Sequence, residues 1–263
     1  MLTKLLKYDL KYMIKNMSVF YILALVFAVT TRVLFAFDGS AIMKILSQIS
    51  VGCMFAMAGS IVINVLMRSW VRFRDSIYKD EAYLTHTLPV TKNQIYNSKF
   101  IQSLIFFIIS FAVSILSIFI TYYTEERWQA LKEFINTSMT NMDFNTGVFV
   151  AVVLILLFLE FFNVLQCGYL GILLGHRLNN GRIGFSVLFG YIAYLVSQAI
   201  LLPFILAAGL INNNIMDLFR NNVQPDWATF KLLGILSVVY YAAVIGAMCF
   251  ICKKVFNKGV NVE

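Results

Sequence analysis

The feature that most constrains this chain is a set of six apolar stretches, each 19 to 29 residues long. They cover residues 19–37, 45–67, 100–122, 148–174, 183–211 and 232–252. About 20 apolar residues are enough for a helix to cross the hydrocarbon core of a bilayer. Within lipid the backbone must satisfy its own hydrogen bonds, which a helix does inside one segment. The sequence therefore predicts an all-α membrane protein with six transmembrane helices.

The composition excludes the main soluble classes. Hydrophobic residues make up 60% of the chain and charged residues only 13%. A soluble domain is about half apolar and about a quarter charged, so these few charges cannot cover the surface of a soluble protein of 263 residues. A disordered chain would have a low hydrophobic content. A soluble enzyme and a disordered protein are both excluded, and the lipid bilayer is the expected environment.

The basic residues predict the orientation of the spans. Of the 21 lysines and arginines, 15 fall on the side that holds both termini and the loops after the second and fourth spans. Loops rich in lysine and arginine stay in the cytoplasm, so we expect both termini inside, in a multi-pass protein of the bacterial plasma membrane. Anionic lipid of the inner leaflet accounts for the net charge of +8, and no nucleic-acid partner is expected.

Two regions are predicted, an amphipathic segment over residues 1–18 and a six-span domain over residues 19–263. Apolar residues recur in the first region at helical spacing, and four lysines fall on the opposite face. The apolar set is Leu2, Leu5, Leu6, Leu10, Met13, Ile14 and Met17, and the basic set is Lys4, Lys7, Lys11 and Lys15. This pattern predicts a helix that lies on the inner membrane surface. A topology signal without further role is the alternative.

Two features within the spans bear on helix packing. Pro203 removes a backbone hydrogen bond from the fifth span, which at 29 residues is long for one crossing. We therefore expect a kink there, or a re-entrant segment before the last span. Gly171 and Gly175 form a G-x-x-x-G pair near the inner end of the fourth span, a spacing that lets two helix backbones approach closely. The pair fits packing within one subunit and contact between two subunits.

Glu160 is the one ionisable residue deep inside a predicted span. A carboxyl group within the membrane is costly, and it is usually functional or paired. Asn163 and Gln166 lie close to the same face of the predicted helix, and either could share hydrogen bonds with it. A structural carboxyl group and a mechanistic one are both compatible with this pattern.

The chain lacks the groups that membrane-bound catalysis requires. No G-x-x-x-x-G-K-[ST] phosphate-binding motif occurs, and neither His86 nor His176 lies within a predicted span. Cys249 and Cys252 form a C-x-x-C pair, but the second ligand pair of a zinc site is missing. We therefore expect no enzymatic activity, no metal and no cofactor in this chain.

The largest predicted cytoplasmic loop, residues 68–99, contains the motif DEAYLTHTLPVTK at residues 80–92. Glu81 suits the positive end of a short helix, and Pro89 stops that helix. Apolar and aromatic groups lie together near its end, as interface anchors often do; they are Tyr83, Leu84, Thr87 and Leu88. Because no lysine occurs from residue 80 to 91, we expect a protein partner rather than anionic lipid.

This motif resembles the loop signature of ABC-2 type transporter permeases, in which an acidic residue opens a short helix that ends in Leu-Pro-Val and Ser/Thr-Lys/Arg. The close match is local, with Ala82 where glycine is common, and the six spans extend the resemblance to the whole chain. The resemblance implies that this helix is the coupling helix, which docks into a groove of an ATPase subunit. The docking residues would be Glu81, Tyr83, Leu84, His86, Thr87, Leu88 and Pro89.

The resemblance further implies the permease subunit of an ATP-driven exporter. Its partners would be an ATPase dimer, which binds ATP and Mg, and a second permease chain, identical or homologous. The translocation path would be lined by the second and fifth spans, with Asn64, Ser197 and Gln198 as its polar candidates. The apolar character of this path favours hydrophobic or amphipathic peptides as cargo. Lipid or drug export stays open, as does a non-transport scaffold or sensor.

Overall fold

The computed structural model describes residues 2–37, 41–79, 81–87, 89–124, 129–130, 133, 146–178, 180–221 and 227–258. The regular structure within these ranges is entirely helical. The helices are α1 (Leu2–Ala36), α2 (Ala41–Tyr78), α3 (Glu81–Thr87), α4 (Lys92–Tyr122), α5 (Thr146–Gly175), α6 (Arg182–Ile211), α7 (Asn213–Asn221) and α8 (Trp227–Asn257).

Six of these helices are long and apolar enough to cross a membrane, namely α1, α2, α4, α5, α6 and α8. They coincide with the six predicted spans, which confirms an all-α chain with six candidate membrane helices. Several are longer than predicted, and α2 has 38 residues. A helix of that size is about 57 Å long, whereas the hydrocarbon core is about 30 Å thick. Part of α2 therefore extends beyond the hydrocarbon core.

The region predicted as a cytoplasmic loop, residues 68–99, is largely helical in the structure. The structure extends α2 through this region to Tyr78 and begins α4 at Lys92. Only the residues between these two helices connect the second and third spans, and α3 occupies seven of them. The prediction placed the span ends where the apolar runs stop, but a helix continues through polar residues when that end of it has packing partners.

The amphipathic segment predicted over residues 1–18 is continuous with the first span. Helix α1 runs as one element of 35 residues. Met13 and Met17 from the predicted apolar face are fully buried in the structure, whereas Ile14 is 58% exposed. Part of the predicted apolar face of α1 therefore packs against other helices, and part of it is exposed.

The chain divides into two compact units, Met1–Ala130 and Leu131–Glu263. In the first unit α1, α2 and α4 each pack on the other two, and α3 packs on α2. Helix α4 contributes a buried row of small hydroxyl side chains, and such residues let helices approach closely. The row consists of Ser103, Ser110, Ser114, Ser117 and Thr121. Three of its hydroxyls bond to neighbouring helices: Ser110 to the Tyr21 hydroxyl at 2.9 Å, Ser114 to the Ala58 carbonyl at 3.2 Å and Thr121 to the Ala28 carbonyl at 3.4 Å.

In the second unit α5 packs on α6 and α8, and α7 packs on α6. A Cβ atom on Gly171 or Gly175 would overlap the backbone of Ser186 in α6. The G-x-x-x-G pair therefore serves close packing within one chain. Helix α6 continues through Pro203 to Ile211, and the nine-residue helix α7 follows it in the segment for which a re-entrant turn is predicted.

Candidate functional site

The short helix α3 has one face against α2 and one face directed outward. Ala82 is fully buried, and its N–H donates to the Lys79 carbonyl at 2.7 Å. The small side chain at this position lets α3 lie close to α2. Tyr83, the next residue, is 63% exposed, and Thr87, one turn further, is also exposed. The exposed face of α3 therefore carries an aromatic side chain.

A capping box fixes the link between α3 and α4. The Thr91 hydroxyl accepts a hydrogen bond from the Gln94 N–H at 3.3 Å, and the Gln94 side-chain oxygen accepts one from the Thr91 N–H at 3.2 Å. This reciprocal pair satisfies backbone donors that the start of a helix leaves open. Pro89, which is exposed, precedes the cap and has no backbone N–H to donate. The Pro-Val-Thr part of the motif thus ends one helix and starts the next.

Four charged side chains meet where α1, α2 and α4 come together near α3. Asp9 of α1 is only 2% exposed, and its Oδ1 atom accepts hydrogen bonds from Arg72 Nε at 3.0 Å and from Lys99 Nζ at 2.6 Å. The Ser98 hydroxyl donates to the other carboxylate oxygen at 3.3 Å. The buried carboxylate of α1 is therefore bonded to both α2 and α4.

Arg72 extends this arrangement to α3. Its Nη2 atom lies 3.0 Å from Asp9 Oδ1, and its Nη1 atom lies 2.5 Å from Glu81 Oε2. The guanidinium carbon also lies 4.6 Å from the centroid of the Tyr12 ring, a favourable cation–π position. We call Asp9, Arg72, Lys99 and Glu81 the inner ionic cluster. Two carboxylates and two cations make it neutral, which offsets part of the cost of removing these charges from water.

The residues predicted to dock a partner are placed only in part. Glu81, Tyr83, Thr87 and Pro89 are exposed, whereas Leu88 and the side chains of two further candidates lie outside the described residues; these two are Leu84 and His86. The sequence interpretation did not identify Asp9, Arg72 or Lys99 as members of a site. One signal was present, because Asp9 lies four residues before Met13 and thus on the apolar face of α1.

The second unit has its own polar cluster, centred on Glu160 of α5. The Tyr194 hydroxyl and the Gln198 amide nitrogen of α6 both donate to Glu160 Oε1 at 2.8 Å. Tyr241 of α8 lies near this carboxyl group. Two donors of α6 thus bond to one oxygen of a carboxyl group within a predicted span, whereas its Oε2 atom is buried without a hydrogen-bond partner among the described residues. Acids within membrane helices are usually paired in this way with groups of other helices.

The predicted partners of Glu160 bond elsewhere, which corrects the sequence interpretation. The Asn163 amide nitrogen donates to the Ser197 hydroxyl at 3.0 Å, and the Gln166 side-chain oxygen lies 3.7 Å from Cys249 Sγ. Both amides are fully buried. Asn163 connects α5 to α6 about one turn from Glu160, and Gln166 connects α5 to α8 about two turns from it. Polar contacts between these helices therefore continue along α5.

The three polar candidates for a translocation path fall in different places. Ser197 and Gln198 belong to the polar cluster of the second unit. Ser197 is only 2% exposed, and its backbone carbonyl accepts a hydrogen bond from the Tyr240 hydroxyl. Asn64 belongs to α2 in the first unit, where its amide donates to the Ser60 carbonyl of its own helix at 2.8 Å. The structure brings Ser197 and Gln198 together with Glu160.

The two clusters consist of ion-paired and hydrogen-bonding side chains. Within the described ranges, no three side chains of histidine, cysteine, aspartate or glutamate lie close enough together to hold a metal ion. In the first unit, a short helix with an exposed aromatic residue is ion-paired to the cluster of Asp9, Arg72 and Lys99 through Glu81. The second unit offers hydrogen-bonding groups inside the membrane.

Comparison with other proteins adds no relative. No family model, no curated protein and no solved structure matches the chain. Any functional conclusion therefore depends on the residues and their geometry.

Proposed function

We propose that this chain is the transmembrane permease subunit of an ATP-driven exporter of the ABC-2 type in the bacterial plasma membrane. The observation that carries the proposal is α3, a seven-residue helix attached to the helix ends of the first unit by an ion pair. An isolated helix of this length is not stable in water. A fold that holds such a helix and leaves Tyr83 63% exposed on it is typical of a docking element, since interface anchors are often aromatic.

In this proposal α3 is the coupling helix and binds a separate ATPase subunit. ATP and Mg are bound by the partner, and this chain contributes no catalytic group. Two permease chains, identical or homologous, pair above an ATPase dimer and alternate between inward- and outward-facing states. The path runs along the second and fifth spans, which are α2 and α6. The apolar surface of these helices supports hydrophobic or amphipathic peptides as the cargo.

The docking test takes an ABC ATPase found to be encoded next to this gene, and co-expresses and co-purifies it with the chain. Tyr83→Asp places a charge at the centre of the proposed interface. We expect at least about tenfold weaker ATPase binding, since the loss of an aromatic anchor costs on the order of 2 kcal/mol. Tyr83→Phe keeps the ring and should bind as the unsubstituted chain does.

A matched control is Tyr123→Asp. Tyr123 is 53% exposed and follows the end of α4 opposite to α3, so the same substitution there should leave ATPase binding unchanged. If Tyr83→Asp and the control bind the ATPase equally well, α3 is not the docking helix. A folded chain that binds no ATPase at all would favour the scaffold or sensor interpretation.

The cargo test measures ATP hydrolysis by the complex reconstituted in liposomes. Apolar peptides of stated sequence should stimulate hydrolysis, whereas charged peptides of equal length should not. If phospholipids or small lipophilic drugs stimulate hydrolysis and no peptide does, peptide export is wrong and lipid or drug export takes its place.

A further inference from the structure

The inner ionic cluster has one member unlike the other three. Asp9, Arg72 and Lys99 come from the long helices, and their side chains are 3%, 12% and 4% exposed. Glu81 comes from α3, and its side chain is 51% exposed. Without Glu81, the other three side chains carry one positive charge in excess. The buried part of the cluster is therefore balanced by a single carboxylate on the exposed helix.

Arg72 holds Glu81 and Asp9 with different atoms of one rigid group. Its Nε and Nη2 atoms bond to Asp9 at 3.0 Å, and its Nη1 atom bonds to Glu81 at 2.5 Å. The guanidinium group is planar, so its donors cannot move independently. A displacement of Glu81 must either turn the guanidinium on Asp9 or break a charge-assisted hydrogen bond.

Asp9 is in turn held from α4. The Lys99 ammonium lies 2.6 Å from the same Oδ1 atom that Arg72 contacts, and Ser98 bonds to Oδ2 at 3.3 Å. Separating these groups would leave a buried charge without its partner, which is strongly unfavourable. Asp9 is therefore bonded to α2 and α4 together, and separating the helices here would cost the free energy of an unpaired buried charge.

We infer that Arg72 is the residue that transmits a displacement of α3 to α1 and α4, with Asp9 and Lys99 as its positioning partners. The transmission rests on the proposed docking of an ATPase to α3, whereas the attachment of α3 by Glu81 is a property of this chain alone. In this scheme the ATPase moves α3, the Glu81–Arg72 pair converts that movement into a shift of Asp9, and Lys99 passes the shift to α4.

Two variants distinguish the charge of Glu81 from the hydrogen-bonding geometry of Arg72. Glu81→Gln keeps the size of the side chain and removes its charge. Arg72→Lys keeps the positive charge but replaces the planar guanidinium by a single ammonium group, which does not hold Asp9 and Glu81 in one fixed geometry. Asp75→Asn is the matched control, because Asp75 also pairs with one arginine and one lysine, at 2.9 Å from Arg74 of α2 and 3.7 Å from Lys79, which follows α2. Neither pair includes a side chain of α3.

The first measurement is amide hydrogen exchange of residues 81–87 in the full chain without ATPase. Both variants should exchange about tenfold or more faster than the unsubstituted chain, the range expected for loss of a hydrogen bond between charged groups. The Asp75→Asn control should exchange at the unsubstituted rate. Equal rates in all four proteins would show that Glu81 does not hold α3, and would overturn the inference.

The second measurement repeats the exchange experiment on the complex with the ATPase, with and without ATP and Mg. In the unsubstituted complex, nucleotide should change exchange in α3 and also in residues 2–14 and 92–102. In Arg72→Lys, which leaves every proposed docking residue unchanged, the change should stay in α3 while the ATPase remains bound. A full response of residues 2–14 and 92–102 in this variant would overturn the transmission.

The two proposals fail in different ways. If the unsubstituted chain binds no ATPase, the proposed function is wrong and the transmission is wrong with it. The exchange rates of the chain alone would then still decide whether the Glu81–Arg72 pair attaches α3 to the long helices.

Discussion

Removing the buried carboxylate of the inner ionic cluster should cost more stability than any other single charge change in the first unit. In Asp9→Asn, the Lys99 ammonium, whose side chain is only 4% exposed, loses a carboxylate 2.6 Å away. Arg72 loses the same partner but keeps Glu81. Breaking a buried ion pair by removing one partner costs about 3–5 kcal/mol, and we expect a loss in this range.

A second substitution should recover part of that loss. Lys99→Met has a similar volume and no charge, so the double variant Asp9→Asn/Lys99→Met contains no buried ammonium without a counterion. Arg72 and Glu81 then remain as a neutral pair. We expect the double variant to be more stable than Asp9→Asn by about 1–3 kcal/mol, the size of the penalty for a buried polar group that has lost its partner.

Asp75→Asn is the control against which the stability of Asp9→Asn and of the double variant is compared. The Asp75 side chain is 30% exposed and pairs with Arg74 and Lys79, which are also partly exposed. Exposed ion pairs contribute about 0–1 kcal/mol, so this variant should lose no more than that. The assay is reversible unfolding in mixed detergent and dodecyl sulfate micelles at neutral pH. If Asp9→Asn loses no more stability than Asp75→Asn, or if adding Lys99→Met lowers it further, the charge-balance reasoning is refuted.

Three further predictions concern the second unit and the topology. Glu160→Gln should fold and function nearly normally because it can still accept both hydrogen bonds, whereas Glu160→Ala should lose about 1–3 kcal/mol; a stable Gln variant without transport would show a mechanistic role. Gly171→Ala should lose about 1–3 kcal/mol in the unfolding assay through overlap with α6, whereas Gly246→Ala, with no atom within 4 Å, should not. In a cysteine-free background, a cysteine at Asn213 should react with impermeant reagents on intact cells and one at Asn180 should not; the reverse result contradicts the predicted orientation.

The membrane helices could be predicted because their signal is local. Each apolar run is long enough to cross a bilayer, and the hydrogen bonds of a helix lie within the run. The ends of the helices were harder to predict, because α2 and α4 continue into polar sequence where they meet the other helices. Their length depends on partners distant in the chain, such as Asp9, which lies 63 residues from Arg72.

The partners within the two clusters could not be predicted for the same reason. The sequence interpretation assigned Glu160 to neighbours on its own helix, Asn163 and Gln166. The observed donors, Tyr194 and Gln198, lie 34 and 38 residues further along the chain. Helical spacing identifies residues on one face of one helix, but it does not say which other helix that face meets.

The separation of Asp9 from Lys99 has a consequence for biosynthesis. The two residues are 90 positions apart, and at about 5–20 residues per second the ribosome needs on the order of 5–18 s to synthesise the chain between them. Arg72 follows Asp9 by 63 residues, so only in the last part of that interval have Asp9 and Arg72 both been made while Lys99 has not. The ion pairs of the cluster are complete only when α4 has joined α1 and α2. A chaperone or protease that recognises unpaired charges would therefore act on α1 and α2 before that moment.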